Sequence, residues 1–157
     1  MSKQMITILI LSIVVIIATI VILGLSPFSK GEWEGVSERA QISINDQVLD
    51  VYISKTEIDR MQGLSDISLE ELDADGMLFL FDDSQDRVFW MKDMNFSLDI
   101  IWIDQGSVVK IEIDIQKFDQ RGDITRMHSD PYAVDKVLEL PAGGVDKYHI
   151  EVGQRVY

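Results

Sequence analysis

The sequence predicts a β-rich α+β fold: a compact, mostly antiparallel barrel or strongly curved sheet with two or three short helices, preceded by one transmembrane helix. Three observations carry that expectation. Residues 5–25, from Met5 to Leu25, hold no charged side chain. From Gly76 onward, short apolar runs recur between acidic and glycine residues, the pattern of a protein built from many short strands. Within one of these runs Val109, Ile111, Ile113 and Ile115 alternate with Lys110, Glu112 and Asp114, the period of a strand with one dry and one wet face.

The apolar run is long enough to span a bilayer, which takes about 20 residues. In lipid only a helix lets a single segment satisfy its own backbone groups. A cleaved signal peptide is the rival reading. Its apolar region runs about 7–15 residues and ends in a small-x-small site. Here the run is longer, and Gly24-Leu25-Ser26 is the nearest approach to such a site. The chain has no cysteine, so lipoprotein processing at that residue does not apply. The expected organisation is an anchor over 1–25, a juxtamembrane linker over 26–39 and one domain over 40–157. Phe28 and Trp33 in the linker suit the headgroup region. Lys3 precedes the span while Lys30 and Arg39 follow it, so charge asymmetry is small. The usual signal-anchor outcome leaves the short N-terminus cytoplasmic and places the domain outside the cell membrane.

Aspartate and glutamate number 27 against 14 lysines and arginines, for a net charge of −13, and every acid follows the apolar run. Such a field repels nucleic acid phosphates and anionic headgroups. It suits cationic ligands, divalent ions or a basic envelope protein, and solubility or salt adaptation accounts for it equally well. Without cysteine there are no disulfides, thiol nucleophiles or cysteine-ligated zinc. His128 and His149 are the only imidazoles.

Along the domain, residues 40–44 and 47–53 flank Asn45-Asp46, a turn pair suited to a hairpin. Thr56 with Asp59 three residues on marks a helix start, and Gly63 its stop. Ser68-Leu69-Glu70-Glu71 repeats the capping-box pattern. Strands are expected over 77–81, 88–91, 98–103, 108–115, 137–140, 148–152 and 155–157, with a long polar loop over 118–132.

Few motifs carry chemistry. Asp82, Ser84 and Asp86 alternate like the first ligands of a calcium loop, but Arg87 and Asp93 occupy positions where that loop needs glycine and glutamate. His128-Ser129-Asp130 lacks a second imidazole nearby, and Gly63-Leu64-Ser65 lacks the second glycine of a nucleophile elbow. No cofactor or metal site is read. Phe89-Trp90-Met91-Lys92 is more unusual. Strand alternation puts Phe89 and Met91 on one side and Trp90 and Lys92 on the other, where the indole offers a stacking face. Asp99 and Glu139 each interrupt an apolar run, and a buried carboxylate must find donors or face a cavity. Strand alternation also explains either as an outward-facing residue.

Several ordered blocks resemble the domain of unknown function 192 family, from about Val51 to Val156. They are Arg60-x-x-Gly63-Leu64, Gly76-Met77-Leu78-Phe79-x-Phe81, Phe89-Trp90-Met91-Lys92 leading to Leu98-Asp99-Ile100, Val137-Leu138-Glu139-Leu140-Pro141-Ala142-Gly143, and Gly153. The sequence departs from the family pattern at Ser65-Asp66, Asp93, Ser97 and Gln154. The resemblance implies a compact β-rich fold and an extracytoplasmic setting, and no enzymatic activity.

The expected function is noncatalytic: a membrane-tethered domain that binds a small molecule or glycan, or associates with the envelope. Arg60, Trp90, Lys92, Asp99 and Glu139 are the expected ligand-binding residues. Trp90 would stack on a ring, Lys92 and Arg60 would hold anionic groups, and Asp99 and Glu139 would accept hydrogen bonds. One alternative is a hydrolase or isomerase acting on envelope material with Asp99 and Glu139 as acid and base. Another is an acidic adaptor docking a basic protein partner.

Overall fold

Asn45 and Asp46, both at positive φ (48° and 61°), form a two-residue turn whose twist matches that of the strands it joins. They connect β1 (Arg39–Ile44) to β2 (Gln47–Ser54) in a hairpin with Ile44 opposite Gln47. This is the start of the computed structural model, which describes residues 38–157. The anchor expected over 5–25, and all but the end of the linker, lie outside the described residues. Among the described residues no helix is long and apolar enough to cross a membrane.

After β2 comes α1 (Glu57–Gln62), opened by a full capping box. Thr56 Oγ1 accepts the Asp59 N–H at 3.1 Å, and the Asp59 carboxylate accepts the Thr56 N–H at 3.0 Å. Gly63, at φ 51°, ends it. The second capping-box pattern makes a turn instead of a helix, with the Ser68 N–H and Oγ both donating to the Glu71 carboxylate. Because α1 carries the chain back along the sheet, β3 (Gly76–Gln85) pairs with β2 in parallel, Val51 opposite Gly76. A parallel neighbour needs such a crossover. The sheet is mostly antiparallel, as expected, and this one parallel pair makes it mixed.

The remaining elements are β4 (Val88–Trp90), β5 (Leu98–Asp104), β6 (Ser107–Ile115), β7 (Arg126–His128), β8 (Val134–Pro141) and α2 (Gly144–Tyr148). The main sheet runs β1-β2-β3-β8-β5-β6, and β4 and β7 form a separate two-stranded ribbon. Gly76 is required where β3 meets β8, since a Cβ there would stand 2.1 Å from the Glu139 carbonyl oxygen. The sheet is not fully closed. Its two edges are joined at one end by the C-terminal segment, where Ser43 and Tyr157 exchange backbone hydrogen bonds and Val156 donates to Gly106. Arg155 and Val156 make isolated bridges there, in place of the strand expected over 155–157. Such a strap covers two edges that would otherwise present unpaired backbone groups.

Two hydrophobic cores lie on opposite faces of the sheet. One gathers Ile44, Leu49, Val51, Ile101, Leu138 and Leu140; the other gathers Met77, Phe79, Met91, Ile100, Trp102 and Val137. Covered on both faces, β5 is buried from Leu98 to Ile103, which is why it reads as a continuous apolar run. In β6 the alternation does not keep one face. Its register against β5 shifts between Leu98 and Ile100 and again between Trp102 and Ile103. Val109 and Ile115 therefore pack with the Trp102 core, Ile111 with the other, and Ile113 is 59% exposed. Two further expectations are corrected. Residues 148–152 are not a strand, because α2 occupies 144–148 and His149 ends it at φ 53°. The expected loop over 118–132 contains β7, whose partner is β4.

Candidate functional site

β4 is only three residues long, and its pairing with β7 sets Val88 opposite His128, Phe89 opposite Met127 and Trp90 opposite Arg126. The Phe89 ring keys edge-on into Phe79 at 4.9 Å, Trp102 at 5.6 Å and Phe81 at 6.4 Å between centroids. That cluster fixes which way β4 faces. Alternation then leaves Trp90 pointing away from it, 48% exposed. The inward and outward sides expected for Phe89-Trp90-Met91-Lys92 hold: Met91 is buried, and Trp90 and Lys92 are exposed.

Beside the Trp90 indole is a cleft of about 390 Å³, within the size range of small-molecule sites. Arg60, Met61 and Leu64 line it from α1 and the following loop, Phe79 and Phe81 from β3, and Phe89 and Trp90 from β4. Glu139 lines it from β8. Arg60 is placed by its Nη1, which donates to the carbonyls of Lys55 and, at 3.0 Å, Leu80. Its guanidinium lies 5.1 Å from the centroid of Phe81. Glu57 and Asp86 also reach the cleft.

Glu139 follows from the strand period. It sits between Leu138 and Leu140, opposite Met77 on β3 and Ile100 on β5, so its side chain enters the Phe79–Trp102 core. It is 4% exposed, and among the described residues its carboxyl has no hydrogen-bond partner. Burial raises its pKa to about 8, because removing the carboxylate from water penalises the charged form. At neutral pH it is a carboxylic acid, able to donate one hydrogen bond and accept others.

Three of the five expected binding residues, Arg60, Trp90 and Glu139, thus meet at one cleft. The other two do not. Lys92 is exposed, with Nζ 3.7 Å from the Asp93 carboxylate and 5.8 Å from the Trp90 centroid, and it does not line the cleft. Asp99 lies on the opposite face of the sheet from Glu139, since it opposes Leu140 while Glu139 opposes Ile100. Its two carboxylate oxygens each accept a backbone N–H at 2.9 Å, from Asp114 and from Val145. Asp99 is a fastener: it holds the positive-φ residue Asp114 of β6 and the first turn of α2. The structure does not bring Asp99 and Glu139 together as an acid/base pair.

Phe81 and Arg87 are among the lining residues that sequence reasoning does not assign to a site. Phe81 closes an apolar run and Arg87 follows an acidic turn, and no local pattern links them. Of the chemistry-bearing motifs weighed, Asp82, Ser84 and Asp86 do not form a loop of ligands. β3 continues to Gln85, Ser84 Oγ bonds the Asp104 carboxylate, and Asp86 accepts from Ser129 Oγ. Among the described residues no group of three or more metal-ligating side chains occurs.

A curled six-stranded mixed sheet, closed at one end by its C-terminus and flanked by a two-stranded ribbon over a cleft, defines the structural class. The chain belongs to the DUF192 family, described as uncharacterized ACR, whose profile matches residues 40–157. The fold is shared with a crystal structure from Sinorhizobium meliloti of a protein described as a candidate transcription regulator. That chain is 23% identical with a TM-score of 0.68, over 80% of this chain and 97% of the other. A protein of unknown function from Novosphingobium aromaticivorans is similar at 21% identity and a TM-score of 0.60, over 76% of this chain and 84% of its own. No protein with a curated description matches the chain.

Proposed function

We propose that this protein is a membrane-tethered, extracytoplasmic domain that binds a small organic molecule without transforming it. The uncharged run from Met5 to Leu25 is the tether in this reading. The observation that carries the binding role is the meeting of Arg60, Trp90 and Glu139 at one cleft of about 390 Å³. Each supplies a different contact. Trp90 offers a half-exposed ring for stacking, Arg60 offers guanidinium donors, and the neutral Glu139 offers a buried hydrogen-bonding group in an otherwise apolar wall. Pockets of this kind combine apolar walls with a few placed polar groups.

Hydrolysis by paired carboxylates has less support, because Asp99 is committed to two backbone N–H groups on the other face. Transcription regulation, which the description of the Sinorhizobium protein names, is not carried over: a net charge of −13 opposes nucleic acid binding.

The test uses the full chain in zwitterionic nanodiscs, with empty nanodiscs as the blank. Fluorinated aromatic and sugar fragments are screened by ligand-observed ¹⁹F NMR. Fragments that bind should lose their line broadening with Trp90→Ala. Hits that Trp90→Ala leaves unchanged would refute this site, and the absence of any hit would refute the binding role.

A further inference from the structure

The cleft holds a second guanidinium that the sequence did not reveal. Arg87 Cζ lies 4.1 Å from the Phe81 centroid, and Arg60 Cζ lies 5.1 Å from the same ring. Both are within the range of a cation–π contact, about 6 Å. Arg87 is also fixed through its backbone. Its N–H donates to Ser129 Oγ and its carbonyl accepts the Ser129 N–H, each at 2.9 Å. Ser129 is fully buried. The Arg87 guanidinium therefore springs from a rigid point between β3 and β4.

Each guanidinium has donors to spare. Arg87 uses Nη2 on the Asp83 carbonyl and carboxylate, at 2.7 and 2.6 Å. Among the described residues its buried Nε–H has no acceptor, and its hydrogen bonds use Nη2 and not Nη1. Among the described residues Arg60 uses Nη1 alone. Glu57 and Asp86 share the cleft, but among the described residues Asp83 is the only carboxylate ion-paired to either arginine. A buried N–H without an acceptor is costly, and guanidinium forks match carboxylate and phosphate geometry.

We propose that Arg60 and Arg87, both packed on Phe81, form an anion clamp, and that the ligand is a small amphiphile whose flat apolar body carries a carboxylate, sulfonate or phosphate. The inference rests on the binding role assigned to this cleft. The anion meets Arg87 Nη1 and the unused edge of Arg60, and the apolar body lies along Trp90, Met94 and Leu64. Ring and cation complement each other, since a guanidinium stacked on Phe81 is held flat and gives up less rotamer freedom when an anion arrives.

The test compares 2-naphthoate with 2-naphthamide, nearly isosteric probes that differ in charge, by calorimetry on the full chain in zwitterionic nanodiscs. Naphthoate should bind about tenfold or more tighter, the value of hydrogen bonds to a charged group. Arg87→Gln should bring the two probes close to parity by weakening naphthoate far more than naphthamide. Asp83→Asn keeps Arg87 and removes the negative charge paired with it, so it should widen the preference. It also guards against a folding defect in the first variant. Equal binding of both probes, lost with Trp90→Ala, would overturn the clamp and keep the cleft. Binding of neither would overturn both. A preference that neither Arg87→Gln nor Asp83→Asn moves would also overturn the clamp.

Discussion

Replacing Glu139 by glutamine should change how stability depends on pH more than it changes the fold. Burial raises the Glu139 pKa from 4.5 to about 8. Unfolding returns the group to water and to its ordinary value. Below about pH 4.5 both states hold the proton, so the group contributes no pH dependence. As pH rises from there, the unfolded chain releases its proton while the folded one keeps it, and stability falls. The fall ends near pH 8, where the folded carboxyl also ionises. At 1.36 kcal/mol per pH unit the accumulated loss is on the order of 5 kcal/mol, a large share of the roughly 5–15 kcal/mol that holds a domain together. Glutamine has a similar size and never ionises. The stability of Glu139→Gln relative to the native chain should therefore grow between pH 4.5 and 8 and then level off. Other titrating groups affect both proteins alike and cancel in the difference. Urea titrations of the full chain in detergent, followed by near-ultraviolet circular dichroism of the buried Trp102, measure that difference. A gap that stays constant from pH 4.5 to 8 would show that Glu139 is charged in the folded protein or reached by water, and the assignment of a neutral acid to the cleft would fail.

Further expectations follow from the same contacts. Above pH 8 an ionised Glu139 joins Glu57 and Asp86 opposite Arg60 and Arg87, so naphthoate affinity should drop with rising pH, and Glu139→Gln should remove the drop. Asp99→Ala strands two backbone N–H groups and should destabilise by about 2 kcal/mol or more, with probe binding by the folded fraction unchanged. Gly76→Ala drives a Cβ against the Glu139 carbonyl at 2.1 Å and Leu140 at 2.8 Å. Strands β3 and β8 must part, at about 2 kcal/mol, as a lower denaturation midpoint would register. Lys92→Ala removes only exposed contacts, with Asp93 and with the Trp90 ring; its melting curve should lie within about 0.5 kcal/mol of the native one.

Features that depend on near neighbours in the chain were legible before the fold was known. Asn45-Asp46 turns because two short polar residues tolerate positive φ, and Thr56 caps α1 because its hydroxyl lies within reach of Asp59. The same local logic misleads where a long-range partner intervenes. Residues 148–152 read as a strand, yet the Asp99 carboxylate holds the Val145 N–H and α2 occupies 144–148 instead. Met127 reads as loop until β4 pairs with it. In β6 the apolar alternation is correct as a strand signal and wrong as a face assignment, since two register shifts move alternate residues across the sheet.

The candidate site divides along the same line. Trp90, Asp99 and Glu139 stand out as residue types at odds with their neighbours, and that much the sequence by itself determined, together with the β-rich composition, the hairpin and the capped helix. It also posed two alternatives for Asp99 and Glu139: an outward-facing place on the strand, or burial, where an ionisable group needs a partner or a cavity. Which need each would meet was decided only by the tertiary structure. Asp99 met two backbone donors on one face, and Glu139 met a cleft on the other. The parallel place of β3 beside β2, the C-terminal strap across both sheet edges and the packing of Arg60 and Arg87 on Phe81 were settled in the same way. Each depends on contacts between residues far apart in the chain, and a side chain carries no record of the distant surface that will face it once the backbone has closed.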